Sequence, residues 1–263
     1  MKRTSILASL AGLAVLALPL SLIAQEEDAE APDPVSDVWM MVVKPGMEAQ
    51  FDEAMATHMQ FRKDAGELRT WQAYRVVVGH NITPIQYRSC CFSWADLDDF
   101  EANDTEMGLG ANFQATVGQY VEHYHHYLET SDWDNSHWPT TGTSGPYYGV
   151  TSWTDKQGRG PAASAAMEKM SQLAITEGWA SDENNWLWLS RVGGDETTAL
   201  ASSYTSYADM APPEQSFYEF AVEKLGEEEA GEMFDAFGKG FDDSDYTVWK
   251  LDESISTPVD EEE

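Results

Sequence analysis

The sequence predicts an α+β protein in which two tandem β-α-β-β-α-β units pack sheet to sheet as one barrel. Three observations predict it. A pattern recurs: Ser93-Trp94-Ala95-Asp96-Leu97 returns as Ser206-Tyr207-Ala208-Asp209-Met210. Upstream, Arg75-Val76 matches Arg191-Val192; downstream, Tyr127-Leu128-Glu129-Thr130-Ser131 matches Lys250-Leu251-Asp252-Glu253-Ser254, in the same order in both halves. A repeat this long is a duplicated domain rather than a solenoid unit. Each half also reads as strand, helix, two strands, helical region, strand. Finally, Trp71, Tyr74, Val76, Trp186 and Trp188 on the second strands make a sheet face too apolar to leave wet. A second sheet would cover it.

The elements follow in order. Val38–Val43 is an apolar run of strand propensity, ended by Lys44-Pro45-Gly46. Met47 to Ala65 reads as a helix, because Met47, Phe51, Met55 and Met59 recur at a spacing of four. Arg62 and Lys63 suit the negative end of its dipole, and Gly66 closes it. Leu68 to Val78 and Ile85 to Ser93 are strands around the turn at His80–Pro84; Asp96 to Tyr120 holds a helix; Glu122 to Trp133 is an aromatic strand. The second half repeats the order: strand Tyr147–Trp153, helix Gly160–Glu177, strands Trp186–Val192 and Thr198–Ser206, helical region Phe217–Phe237, strand Tyr246–Leu251. That order is the ferredoxin-like unit, with helices on one face of an antiparallel sheet.

The ends lie apart from this fold. Residues 1–24 read as a signal peptide: Lys2 and Arg3 form the basic region, Ile6 to Leu20 the apolar one, and Ala24 a cleavage residue. Residues 25–36 form an acidic flexible tether, 37–135 the first unit, 136–146 a linker, 147–257 the second unit and 258–263 an acidic tail. The expected location is periplasmic or secreted, with no membrane span after cleavage. The chain carries 46 acidic and 15 basic residues, a formal charge of −31. Such a surface repels nucleic acid and anionic lipid, and it is best tolerated in salt. The expected state is a monomer or weak oligomer. The only two cysteines, Cys90 and Cys91, are adjacent. Neighbours on a strand point to opposite faces, so two small buried thiols are expected, with a vicinal disulfide as the alternative.

Few residues suggest chemistry. Arg75 and Arg191 each interrupt an apolar strand. They face a cleft and hold a carboxylate or enolate oxygen beside Trp71 and Trp186, or each pairs with a nearby acid such as Asp96 or Asp209 and braces the fold. His123 and His125 share a strand face and His126 takes the other; a transition metal and aromatic-like packing both remain open. His58 lies at the edge of the methionine stripe and would act as a base only if it opened onto a cavity. His80 sits in a turn, where solvation is expected. The sequence lacks a Gly-rich phosphate loop, a Gly-x-Ser-x-Gly elbow and a His-Glu-x-x-His motif.

With Lys44-Pro45-Gly46 ending a strand and Glu48 and Phe51 opening the helix, Val38 to about Ser256 resembles the dimeric α/β-barrel superfamily, in particular its NIPSNAP and EthD-like members. The resemblance implies a fused pair standing in for a homodimer. It also implies small-molecule chemistry. The expectation is an exported protein that binds a small apolar or aromatic ligand in an inter-sheet cavity. The alternative is an enzyme of the cofactor-independent monooxygenase or haem-dependent type. No cofactor is favoured, and haem or a transition metal stays open.

Overall fold

A computed structural model describes residues 33–139 and 145–259. The leader expected at 1–24, the tether up to residue 32, part of the linker and the last four residues of the acidic tail lie outside the described residues. The tether is shorter than expected, because Val35 and Ser36 are fully buried at the start of β1.

The first half runs β1 (Val35–Val43), α1 (Glu48–Ala65), β2 (Gln72–Val78), β3 (Pro84–Phe92), α2 (Asp96–Glu106), α3 (Leu109–Thr116) and β4 (Val121–His137). The second runs β5 (Tyr147–Asp155), α4 (Gly160–Thr176), β6 (Trp186–Val192), β7 (Thr197–Tyr204), α5 (Phe217–Leu225), α6 (Glu227–Gly238) and β8 (Phe241–Leu251). Each expected second helical region is thus two helices. Gly108, at φ 66°, separates α2 from α3, and Gly226, at φ 86°, separates α5 from α6. Gly66 ends α1 in the left-handed conformation, and its N–H caps the last turn. Ser216 and Glu219 form a capping box on α5.

The eight strands form one closed antiparallel ring, β1-β3-β2-β8-β5-β7-β6-β4. The two halves therefore share the strand order β4-β1-β3-β2 and β8-β5-β7-β6. They are joined edge to edge as well as face to face. β2 pairs with β8 (Tyr74 opposite Leu251), and β4 pairs with β6 (Leu128 opposite Val192). Closure removes every free sheet edge from the ring. The two Ser-x-x-Asp motifs make equivalent turns. Ser93 N–H donates to Asp96 at 2.7 Å and Ser206 N–H to Asp209 at 3.0 Å, each just beyond a third strand.

Two surfaces of the ring are buried. Outside, Phe51, Met55 and Met59 of α1 pack on Met41, Val43, Ala73, Ile85 and Tyr87. In the second half Trp186 and Trp188 pack with Phe237, Trp153 and Phe241 beneath the helices. Inside, the walls include Tyr74, Tyr148, Leu187, Leu189 and Trp249. The expectation for the second strands is corrected accordingly. Tyr74 faces the lumen, but Trp71, Trp186 and Trp188 face the helices. Trp71 precedes β2, which begins at Gln72 rather than Leu68. Cys90 and Cys91 are also corrected: they form a vicinal disulfide, and Cys91 is exposed. The peptide between them is cis.

Candidate functional site

The described residues enclose two large cavities. One, of about 690 Å³, lies between the outer face of the first-half sheet and helices α1, α2 and α3. The other, of about 790 Å³, is the barrel lumen.

The sheet–helix cavity is built by the apolar stripe that made α1 legible. Met55 and Met59 floor it, Trp39 and Trp71 wall it, and Phe100 of α2 and Phe113 of α3 close it. No residue of α2 is buried, so this helix covers the space loosely. His58 is 1% exposed. Its Nδ1 lies 2.7 Å from Asn112 Oδ1, which has no hydrogen to donate, so Nδ1–H donates and Nε2 keeps a lone pair. Burial holds its pKa below the usual 6.5, against the Asn112 hydrogen bond and with help from the Arg62 charge. Tyr87, 1% exposed, also lines the cavity, and its hydroxyl is a buried group with no hydrogen-bond partner. Burial pushes that phenol far above its ordinary value.

One end of the cavity is closed by charge. Glu67 accepts from Arg62, from Arg69 Nε at 3.1 Å and from Trp71 Nε1 at 2.9 Å. Arg69 reaches Asp37 at 2.8 Å and also Asp104 of α2, and His126 Nε2 lies 2.8 Å from Asp37. Asp104 thus ties the covering helix to the sheet. This network was not among the expected sites. A signal existed: Glu67, Arg69 and Trp71 alternate, and in an extended segment alternate residues share a face.

The expected site residues are scattered. Arg75 lies outside the ring, between Asp52 of α1 at 2.5 Å and Asp252 at 2.6 Å. Neither acid is the one named from the repeat, and Asp252 belongs to the other half. Arg191 faces the lumen, 4.1 Å above the Tyr127 ring. The two arginines therefore occupy opposite faces of the sheet. Trp71 lines the sheet–helix cavity. Trp186 is packed under α4 and donates from Nε1 to Asn135 O at 2.8 Å. His123 and His125 line the lumen with rings 5.6 Å apart, whereas His126 stacks on Trp39 at 4.2 Å. His80, exposed in its turn, lies 2.7 Å from Asp245.

Among the described residues no group of three or more His, Cys, Asp or Glu side chains is placed to hold a metal ion. The histidines that line the sheet–helix cavity, and could hold a haem iron there, are His58 and His126. His58 Nε2 faces Arg62 Nη1 at 3.4 Å, and His126 Nε2 lies 2.8 Å from Asp37.

No family model matches the chain, and no curated protein matches it in sequence. Solved structures match it in shape. A candidate monooxygenase from Lactobacillus acidophilus NCFM has TM-score 0.50 and 9% identity, over 83% of this chain and 94% of that one. A candidate monooxygenase from Fusobacterium nucleatum subsp. nucleatum has TM-score 0.50 and 10% identity, over 84% and 93%. An anthrone oxidase-like protein has TM-score 0.48 and 12% identity, over 86% and 94%. Likeness at such identities is one of fold. The described residues share with these structures a fold in which a closed ring of eight antiparallel strands is accompanied by six helices.

Proposed function

We propose that the protein binds a small, largely apolar aromatic molecule bearing a hydroxyl or carbonyl oxygen, in the sheet–helix cavity of its first half. We further propose that each half is a ferredoxin-like unit, fused in tandem in place of a NIPSNAP- or EthD-like homodimer, and that the chain is exported once its leader is removed. The single observation that carries the binding reading is the apolar space of about 690 Å³ itself, walled by Trp39, Met55, Met59, Trp71 and Phe113 and bounded by the polar side chains of His58 and Arg62. In the second half the same layer is filled by Trp153, Trp186, Trp188, Phe237 and Phe241. The space is therefore a departure of one half from the other, not a packing limit of the fold.

The test is fluorescence titration with 1-naphthol, read through Trp39 and Trp71. Met59→Trp, which would fill the space, is expected to weaken binding about tenfold or more. Equal affinity in parent and variant would refute the assignment.

His58 supports a second reading, as an enzyme of the cofactor-independent monooxygenase type. It is neutral, oriented by Asn112, and has a basic nitrogen at the cavity wall. Such a group can take a proton from an acidic hydroxyl or C–H of the bound molecule. Oxygen consumption with a hydroxyaromatic substrate, abolished in His58→Gln while binding persists, would distinguish enzyme from binding protein.

A further inference from the structure

The lumen has features that neither its packing nor the sheet–helix cavity explains. It runs through the centre of the ring, and both halves contribute its walls. Two guanidinium groups project into it, Arg88 from β3 and Arg191 from β6. Arg88 donates from Nη2 to Ser36 Oγ at 2.6 Å, but its Nε–H is buried without a partner. Arg191 lays its face on the Tyr127 ring, and its Nε–H is likewise buried without a partner. Buried donors of this kind are rare, and each calls for an explanation.

The charge is equally unexpected. The chain has 46 acidic residues against 15 basic ones, yet the inner wall sets two arginines against one acid, Glu129. Glu129 Oε2 lies 3.5 Å from Arg88 Nε and stands opposite Arg191 in the β4–β6 ladder. The other lining carboxylate, Asp195, is exposed in the β6–β7 turn at the rim. The inner wall thus keeps one positive charge in excess. Such a charge, partly desolvated, recruits an anion. The remaining wall is aromatic: Tyr74 meets Tyr148 edge to face at 5.3 Å, and Trp138 stacks on Tyr148 at 6.3 Å.

We propose that the barrel lumen is a second binding site, for a small aromatic carboxylate, with Arg88 and Arg191 as its clamp and the Tyr74–Tyr148–Trp138 group as its ring pocket. The fork geometry of guanidinium suits a carboxylate. Arg88 replaces Arg75 as the partner of Arg191, because only Arg88 shares its face of the sheet. Its clamp and ring pocket take no residue from the sheet–helix cavity, although Tyr124 and His126 line both spaces.

The experiment is calorimetric titration of the intact protein with 2-naphthoate at fixed sodium chloride, with 2-naphthamide as the uncharged control. The parent is expected to bind the carboxylate and to bind the amide at least about tenfold more weakly. Arg191→Gln and Arg88→Gln should each weaken carboxylate binding about tenfold or more. Glu129→Gln, which removes the competing charge, should tighten it. Met59→Trp should leave it unchanged, which separates this site from the first. If a glutamine variant fails to fold, Arg191→Lys keeps the charge but loses the fork, and weaker binding is again expected. Equal binding of acid and amide, undiminished binding in the arginine variants, or no binding by the parent would overturn the proposal. Sulfate binding as strong as naphthoate would overturn its aromatic part.

Discussion

Glu67→Gln should destabilise this fold more than removal of any surface acid. The substitution keeps the size of the side chain and removes its charge. Glu67 is 2% exposed and gathers Arg62, Arg69 and the Trp71 indole, with side chains of Arg62 and Arg69 themselves 11% and 7% exposed. A glutamine offers one oxygen and turns its amide toward a guanidinium. Removing one partner of a buried ion pair costs about 3–5 kcal/mol. Arg69 keeps Asp37 and Asp104, and Arg62 keeps Asp104 at 3.8 Å, so the lower end applies. The expected loss is about 3 kcal/mol, which for a domain of this size lowers the melting temperature by about 6–12 °C. Thermal melts by circular dichroism, with urea midpoints beside them, measure it. Glu53→Gln, an exposed acid on α1, is the control. A drop below about 2 °C, or one matched by the control, would refute the reasoning that this network pins the cavity.

Other outcomes follow from the same geometry. Arg75→Ala should cost about 1–2 kcal/mol, less than a buried pair would, because Arg75 and Asp52 are 31% and 41% exposed and solvent screens them; melts beside the parent measure this, and an unchanged melt would show that the bridge between α1 and Asp252 is inert. Burial holds the His58 pKa below 6.5, so below that pH the unfolded chain takes a proton that the fold refuses, and stability falls. The parent should therefore lose more melting temperature between pH 7.5 and 5.5 than His58→Gln, and equal losses would refute this. With a formal charge of −31, the melting temperature should rise as sodium chloride goes from low to moderate concentration, through screening among exposed carboxylates; a flat profile would mean that the acids are locally compensated.

Element order was written in the chain. Apolar periodicity marked α1 and the first strand of each half, Gly66 marked a helix end, and the two Ser-x-x-Asp motifs marked turns just beyond third strands. These are local signals, so a sequence carries them whole. The face a strand residue occupies is not local, because a register slip of one residue sends every side chain to the other side. That is why Arg75 and Arg191, matched in sequence, end on opposite sides of the sheet, one on Asp52 and Asp252, the other over Tyr127. Neither cavity could be read beforehand. The lumen exists because β2 meets β8 and β4 meets β6, contacts between residues 49 or more positions apart. The sheet–helix site depends on His58 meeting Asn112 and on Glu67 meeting two arginines beneath a helix that buries nothing of its own. The sequence by itself determined the succession of strands and helices and the charge they carry. Only the closed ring decided which side chains face a cavity and which are left without a partner, because those properties belong to pairs of distant residues and not to any segment.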